Sequence, residues 1–317
     1  MGHSQGREPS LQLRNGSGRA NGRTMTTPVI LEVALNGATS KAQNPMVPRA
    51  PGEIAGDAIA CLEAGAAIVH THTDGPTLPP REGANLYLEA YRPVLAARPD
   101  AILYPTIAIG GSIGERYDHT VHLAEAGAIR CAPFDTGSVN LGGSAPDGWP
   151  VAMDFVYANS PNDIRYMAEV CRVQRLGPSV AVFEPGFLRV VASAWRAGAL
   201  PPGTLVKLYF AERGYLFGDD SSFGAPPIPE ALEMYLAMLR GIDLPWAIAV
   251  IGGSVLDSPI APLALARGGH LRVGLEDRVD ATSNVDEVQR AARLVAAAGR
   301  RLATCAEAVD ILGLPAR

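Results

Sequence analysis

Short, almost unbroken apolar runs recur along the chain, and longer stretches between them repeat their apolar residues at helical spacing. The runs are Val29–Ala34, Ala67–Thr71, Ala101–Pro105, Ile129–Pro133, Ser179–Phe183, Leu205–Phe210, Trp246–Ile251 and Leu271–Leu275. A strand apolar on both faces is one buried on both faces, as in a parallel sheet covered by helices. Helical patterns follow most of them, for example Gly52–Ala64, Ile113–Glu125, Pro229–Leu239 and Val285–Ala298. The join from helix to strand also repeats: Glu63-Ala64-Gly65-Ala66, Glu125-Ala126-Gly127-Ala128, Arg196-Ala197-Gly198-Ala199 and the variant Ala266-Arg267-Gly268-Gly269. Glycine is favoured just past a helix end, where the backbone often turns left-handed. Parallel strands need such crossover helices. Eight alternations predict an α/β protein of the (β/α)₈ TIM barrel type, with eight parallel strands and outer helices in one domain over residues 27–317. The rival is an open doubly wound sheet, which usually carries a nucleotide fingerprint. Gly110-Gly111-Ser112-Ile113-Gly114 lacks the G-x-G-x-x-G spacing.

Composition narrows the setting. Residues 1–26 are polar, rich in Gly, Arg, Ser and Asn, and contain no apolar segment. They read as a disordered tail without a secretory signal, with Met25 as a candidate start. No stretch approaches the ~18 apolar residues of a membrane span. The net charge of −5, the lack of a basic run and the few aromatics argue against nucleic acid as a partner. Cys61, Cys131, Cys171 and Cys305 are scattered, as free buried thiols in a reducing compartment would be. The expectation is a soluble cytoplasmic protein.

In such barrels the working residues sit at the carboxyl ends of the strands. The second run ends in His70-Thr71-His72, and residues two apart on a strand point the same way. The eighth run ends at Leu275, followed by Glu276 and Asp277. Runs two and eight flank run one in a closed barrel, so His70, His72 and Glu276 can converge at its mouth. Two imidazoles and a carboxylate with one open position make a catalytic zinc arrangement. A lone strand-end histidine is more often a satisfied polar residue, but burying two together without a partner is costly. His119, His122 and His270 fall elsewhere and read as structural, and His3 lies in the tail.

Asp277 either caps the next segment or acts as a base or orienting carboxylate beside the metal. Arg272, four residues before Glu276, needs an anionic partner if buried, either Asp277 or a substrate carboxylate. Thr106, Asn36 and Glu184 also fall at the mouth, and the loop Asp135-Thr136-Gly137-Ser138-Val139-Asn140-Leu141-Gly142-Gly143 offers backbone N–H groups and small donors, including Ser138 and Asn140.

These residues, in this order, resemble the β-keto acid cleavage enzyme family. The likeness runs through Asn36-Gly37-Ala38, Asn44-Pro45, Pro48, Glu63-Ala64-Gly65-Ala66, His70-x-His72 and Pro105-Thr106. It continues in Asp135-x-Gly137-Ser138-x-Asn140-x-Gly142-Gly143 and Val182-Phe183-Glu184-x-Gly186, and ends with Gly268-Gly269-His270-x-Arg272-Val273-Gly274-x-Glu276-Asp277. It spans roughly residues 28–313. The resemblance implies a zinc-dependent barrel that condenses a β-keto acid with acetyl-CoA, releasing acetoacetate and a new acyl-CoA, and a homotetramer. It implies that His70, His72 and Glu276 hold Zn²⁺, that Thr106 stands where the family has a serine contacting the substrate carboxylate, and that Ser138 and Asn140, at the neighbouring polar positions, also face the substrate. Arg272 and Asp277 match the family's charged pair, which orients the reactants.

The chain departs from the pattern at Thr39, where the family often has glutamate, at Thr73-Asp74-Gly75, where it usually has arginine, and at Gly252-Gly253-Ser254. By the resemblance, these positions would lie near the variable end of the substrate. Three other readings stay open: a zinc aldolase acting without CoA, a metal-dependent hydrolase, and a barrel with a binding role only. Hydrolases of the amidohydrolase type place His-x-His on strand one and draw further histidines from strands five and six, where this chain has none.

Overall fold

The structure is a computed structural model that describes residues 27–213 and 220–316. The expected tail, residues 1–26 with Met25, lies outside the described residues. Eight parallel strands form one sheet in the order β3-β2-β1-β8-β7-β6-β5-β4. They are β1 (Leu31–Ala34), β2 (Ile68–His70), β3 (Ile102–Tyr104), β4 (Cys131–Asp135), β5 (Gly177–Val182), β6 (Leu205–Ala211), β7 (Trp246–Ile251) and β8 (His270–Val273). β3 and β4 end the ladder, and the Arg130 N–H donates to the Leu103 carbonyl at 3.3 Å across the remaining seam. The sheet is a nearly closed (β/α)₈ barrel, and the open-sheet rival is set aside.

Between the strands run α1 (Pro51–Ala64), α2 (Pro80–Ala97), α3 (Ile113–Glu125), α4 (Pro161–Gln174), α5 (Pro185–Arg196), α6 (Pro229–Met238) and α7 (Ile260–Ala266). After β8 come α8 (Asn284–Ala297) and α9 (Cys305–Leu312). Five of these helices begin with proline, whose fixed φ suits the first helical position and whose missing N–H is no loss there. Ser160 also caps one of these, α4, and Ser112, Ser283 and Thr304 cap α3, α8 and α9, each accepting an N–H from the first turn. The repeated Ala-Gly join appears as expected, with Gly65 closing α1 at φ 117°.

The two barrel ends differ. At the amino-terminal end α9 folds underneath, and Ala308, Leu312 and Leu314 share an apolar cluster with Ile30, Ile68, Cys131 and Leu205. That end is plugged, so a ligand must enter from the carboxyl-terminal mouth. Strand bounds shift slightly from the sequence reading: β4 extends to Asp135, and β8 stops at Val273 rather than Leu275. Gly274 is the reason for the second shift. Its φ is 134°, and a Cβ there would lie 2.1 Å from the Ala34 carbonyl oxygen. Only glycine lets the chain turn so tightly against β1 and swing Glu276 over the mouth. All four cysteines are free and buried. No helix among the described residues is long and apolar enough to cross a membrane.

Candidate active site

His70 is the last residue of β2, and its ring stacks on Tyr104 of β3 with centroids 4.4 Å apart. His72 lies one step beyond the strand, its ring edge-on to His70 at 5.1 Å. Asn36 fixes this step. Its Oδ1 accepts the His72 N–H at 2.8 Å, and its Nδ2 donates to the carbonyls of His72 and Pro48. Glu276 closes the set from the other side of β1, with His70 Nε2 at 3.3 Å and His72 Nε2 at 3.4 Å from its carboxylate oxygens. One ligand atom from each of the three residues lies within 4.8 Å of the other two.

The three side chains fit a divalent metal. Two nitrogens and a carboxylate oxygen are the donor set of catalytic zinc. His70 is buried, and its Nδ1 has no hydrogen-bond partner. Burial holds His70 well below the usual imidazole range against the pull of Glu276, so it stays neutral and keeps a lone pair for a cation. Burial alone would push Glu276 up, but Arg272 and the two imidazoles outweigh it and keep it ionised.

Beneath this triad lies a buried charged floor. The Arg272 guanidinium donates to both oxygens of Asp277, at 2.9 and 3.1 Å, and to Glu32 Oε1 at 2.8 Å. A fourth contact, from Nη2, reaches Glu276 at 3.1 Å. Lys207 donates to Glu32 Oε1 at 3.2 Å and to the Tyr104 hydroxyl at 2.7 Å, and that hydroxyl donates to Glu32 at 2.5 Å. Burial would raise Glu32, but Lys207 and Arg272 hold it below the usual carboxylate range. Burial also raises Asp277 and lowers Lys207.

A cavity of about 160 Å³ opens above the floor. His70, His72, Glu276, Arg272 and Thr106 line it, so the structure brings these predicted residues together. The other candidates lie apart from its wall. Asp277 sits behind Arg272. Asn36 is buried behind His72. Ser138 and Asn140 are exposed at the rim, where the Ser138 hydroxyl pairs with the backbone of Asn159. Glu184 precedes α5 and accepts the Gly224 N–H at 2.8 Å. His119 Nε2 lies 2.8 Å from the Thr106 carbonyl oxygen, and His270 Nδ1 accepts the Ile30 N–H at 3.0 Å.

The sequence reading passed over Glu32, Tyr104, Lys207, Tyr157 and Ser179, and named Asp135 only within the loop and motif after the fourth run. A signal existed for two of them. Glu32 and Lys207 are the single charged residues inside otherwise apolar runs, the same oddity that singled out Arg272. The departures also have partners: Asp74 pairs with Arg49 across the mouth, and the Thr39 hydroxyl donates to the Leu275 carbonyl at 2.8 Å.

The 3-keto-5-aminohexanoate cleavage enzyme of Fusobacterium nucleatum is 29% identical over 304 residues, 92% of this chain and 99% of that one. The 3-oxoadipate:acetyl-CoA acetyltransferase of Cupriavidus necator is 28% identical over 300 residues, 92% of this chain and 96% of that one. Among solved structures, apo ObcA superposes with a TM-score of 0.61 at 19% identity, covering 85% of this chain and 66% of that one, which bears on the fold alone. The sequence profile of the beta-keto acid cleavage enzyme family matches residues 28–314, nearly the whole described chain, and the protein belongs to that family.

Proposed function

We propose that the protein is a zinc-dependent β-keto acid cleavage enzyme. It condenses a β-keto acid, R–CO–CH₂–COO⁻, with acetyl-CoA to give acetoacetate and the acyl-CoA R–CO–SCoA. The C2–C3 bond of the keto acid breaks, its CH₂–COO⁻ unit joins the acetyl group, and the R–CO unit takes the thiol. The observation that carries this reading is the convergence of His70, His72 and Glu276 at the mouth of a barrel plugged at its other end. Bound there, the cation would supply Lewis-acid chemistry at the keto oxygen.

The protein's own groups have separable tasks. Asn36 sets His72, and Tyr104 supports His70 from below. Arg272 faces the cavity with its orientation locked by Asp277 and Glu32, so it presents a fixed cation to a carboxylate or enolate. Asp277 acts through Arg272 as a positioning residue. Thr106 offers a hydroxyl to the substrate carboxylate from the same wall. Ser138, Asn140 and Glu184 contribute by shaping the loops at the rim, where substrate enters. We place the enzyme in the cytoplasm, where acetyl-CoA is available, as a homo-oligomer, a tetramer by family likeness. Exposed Trp149 and Val156 supply apolar surface for a second copy to cover.

The test is an assay of freshly prepared β-keto acids with and without acetyl-CoA, together with metal analysis of the purified protein. Acetoacetate should form only with acetyl-CoA, and a divalent metal should copurify. Cleavage of a keto acid alone would make the protein an aldolase-type lyase. A chain without zinc, cobalt or manganese would end the metal reading.

A further inference from the structure

The wall facing the metal ligands has groups that the reaction above does not use. It is built by β4, β5 and β6. Their register puts Pro133 opposite Ser179, and Asp135, Ala181 and Lys207 on one level. Residues two apart on a strand share a face, so Ser179 and Ala181 both point inward, and all five line the cavity. Ala181 contributes only a methyl between two polar neighbours, which leaves a notch at their level.

The polar groups around that notch are incompletely matched. Asp135 accepts from the Tyr157 hydroxyl at 2.5 Å, and Lys207 uses two N–H groups on Tyr104 and Glu32. An ammonium has three donors. Among the described residues no ion pair joins Asp135 to Lys207. The Ser179 hydroxyl is buried, with the residue only 4% exposed, and has no hydrogen-bond partner. A buried hydroxyl left unbonded costs about 1–3 kcal/mol, and here a ligand could supply the missing bond.

The charges select the ligand group. A carboxylate would meet Lys207 but also Asp135, and an ammonium would meet Asp135 but also Lys207. A neutral hydroxyl can accept from Lys207, donate to Asp135 and share a bond with Ser179. We propose that Asp135, Ser179 and Lys207, rather than the positions of Thr39 and Asp74, whose side chains bond within the fold and do not line the cavity, form a specificity subsite for a hydroxyl on the variable end of the substrate, so that the preferred β-keto acid is a hydroxylated one. This rests on the reading that the same cavity holds a β-keto acid. Two relatives are named for keto acids that carry an amine or a second carboxylate.

The test uses four β-keto acids of equal length ending in methyl, hydroxymethyl, aminomethyl and carboxyl. Each is assayed with acetyl-CoA on the metal-loaded protein and titrated calorimetrically without acetyl-CoA. The hydroxylated acid should lead the methyl analogue in kcat/KM and in affinity by on the order of 10-fold or more. Ser179→Ala, which deletes an unbonded group and should fold normally, should erase on the order of 10-fold of that lead and leave the methyl acid unchanged. Asp135→Asn should do the same. Equal rates and affinities for the methyl and hydroxylated acids, a preference for either charged acid, or an equal loss on all four in Ser179→Ala would overturn the subsite. Selective binding of the hydroxylated acid without acetyl-CoA-dependent turnover would uphold the subsite and defeat the transferase reading. Turnover with no selectivity would do the reverse.

Discussion

The two walls of the cavity are both polar, yet they are built on opposite plans. On the β8–β1–β2 side the charges interlock: Arg272 grips Asp277, Glu32 and Glu276, and Glu276 approaches both imidazoles. On the β4–β6 side the groups stand apart around Ala181, with the Ser179 hydroxyl unbonded. Interlocked charges in a low-dielectric interior are held in one geometry, which suits groups that must not reorganise during a reaction. Groups left partly matched suit contacts completed only when a ligand arrives. On the proposed function, the comparison separates residues suited to carry the chemistry from residues suited to choose what undergoes it.

The contrast can be broken most sharply at the metal. His70→Ala should remove bound divalent metal and activity while circular dichroism stays unchanged. The loss should exceed the roughly 10–100-fold that follows removal of a ligand's outer partner. A variant that unfolds instead would make His70 a structural residue. Next comes the floor. Arg272→Met leaves Asp277 without its cation and Glu32 with Lys207 alone, and should cost about 3–5 kcal/mol in urea unfolding. A loss below ~1 kcal/mol would mean the interlocked side is not the rigid one.

His119 serves as a control for burial without a carboxylate partner. Its Nε2 lies 2.8 Å from the Thr106 carbonyl, and burial pushes its pKa down to about 4 from the ordinary 6.5. The unfolded chain then binds a proton that the folded chain refuses. Its contribution to stability is full above pH 6.5, falls as pH drops from 6.5 toward 4, and is level below that. The span is on the order of 3 kcal/mol. Unfolding free energies at pH 7 and pH 5 should differ less in His119→Gln than in the parent protein, and an unchanged difference would remove His119 from this role. Smallest of all, Ser179→Ala should alter stability by less than about 1 kcal/mol. A larger destabilisation would mean its hydroxyl is bonded within the fold and the two walls are alike.

Much of the fold was legible because barrel architecture repeats locally. The Ala-Gly joins and the apolar runs each report on a handful of consecutive residues. The triad was legible for a similar reason: His70 and His72 are two residues apart, and Glu276 sits just past the last run, beside Gly274. The far wall was harder to see. Asp135, Ser179 and Lys207 lie on three strands, and nothing local says which residues of a fully apolar run face inward. Ser138 and Asn140 were easy to name from their loop, but only the fold places them at the rim, apart from the cavity wall.

The sequence by itself thus determined the alternation of strands and helices and the identity of the three side chains that can hold a metal, because periodicity and strand ends are written in neighbouring residues. Only the tertiary structure decided that Glu32 and Lys207 meet Arg272 beneath that metal site, and that Ser179 faces the cavity unbonded. Those contacts depend on the stagger between strands far apart in sequence. Stagger is set by the closure of the whole barrel and its packing, not by any one segment.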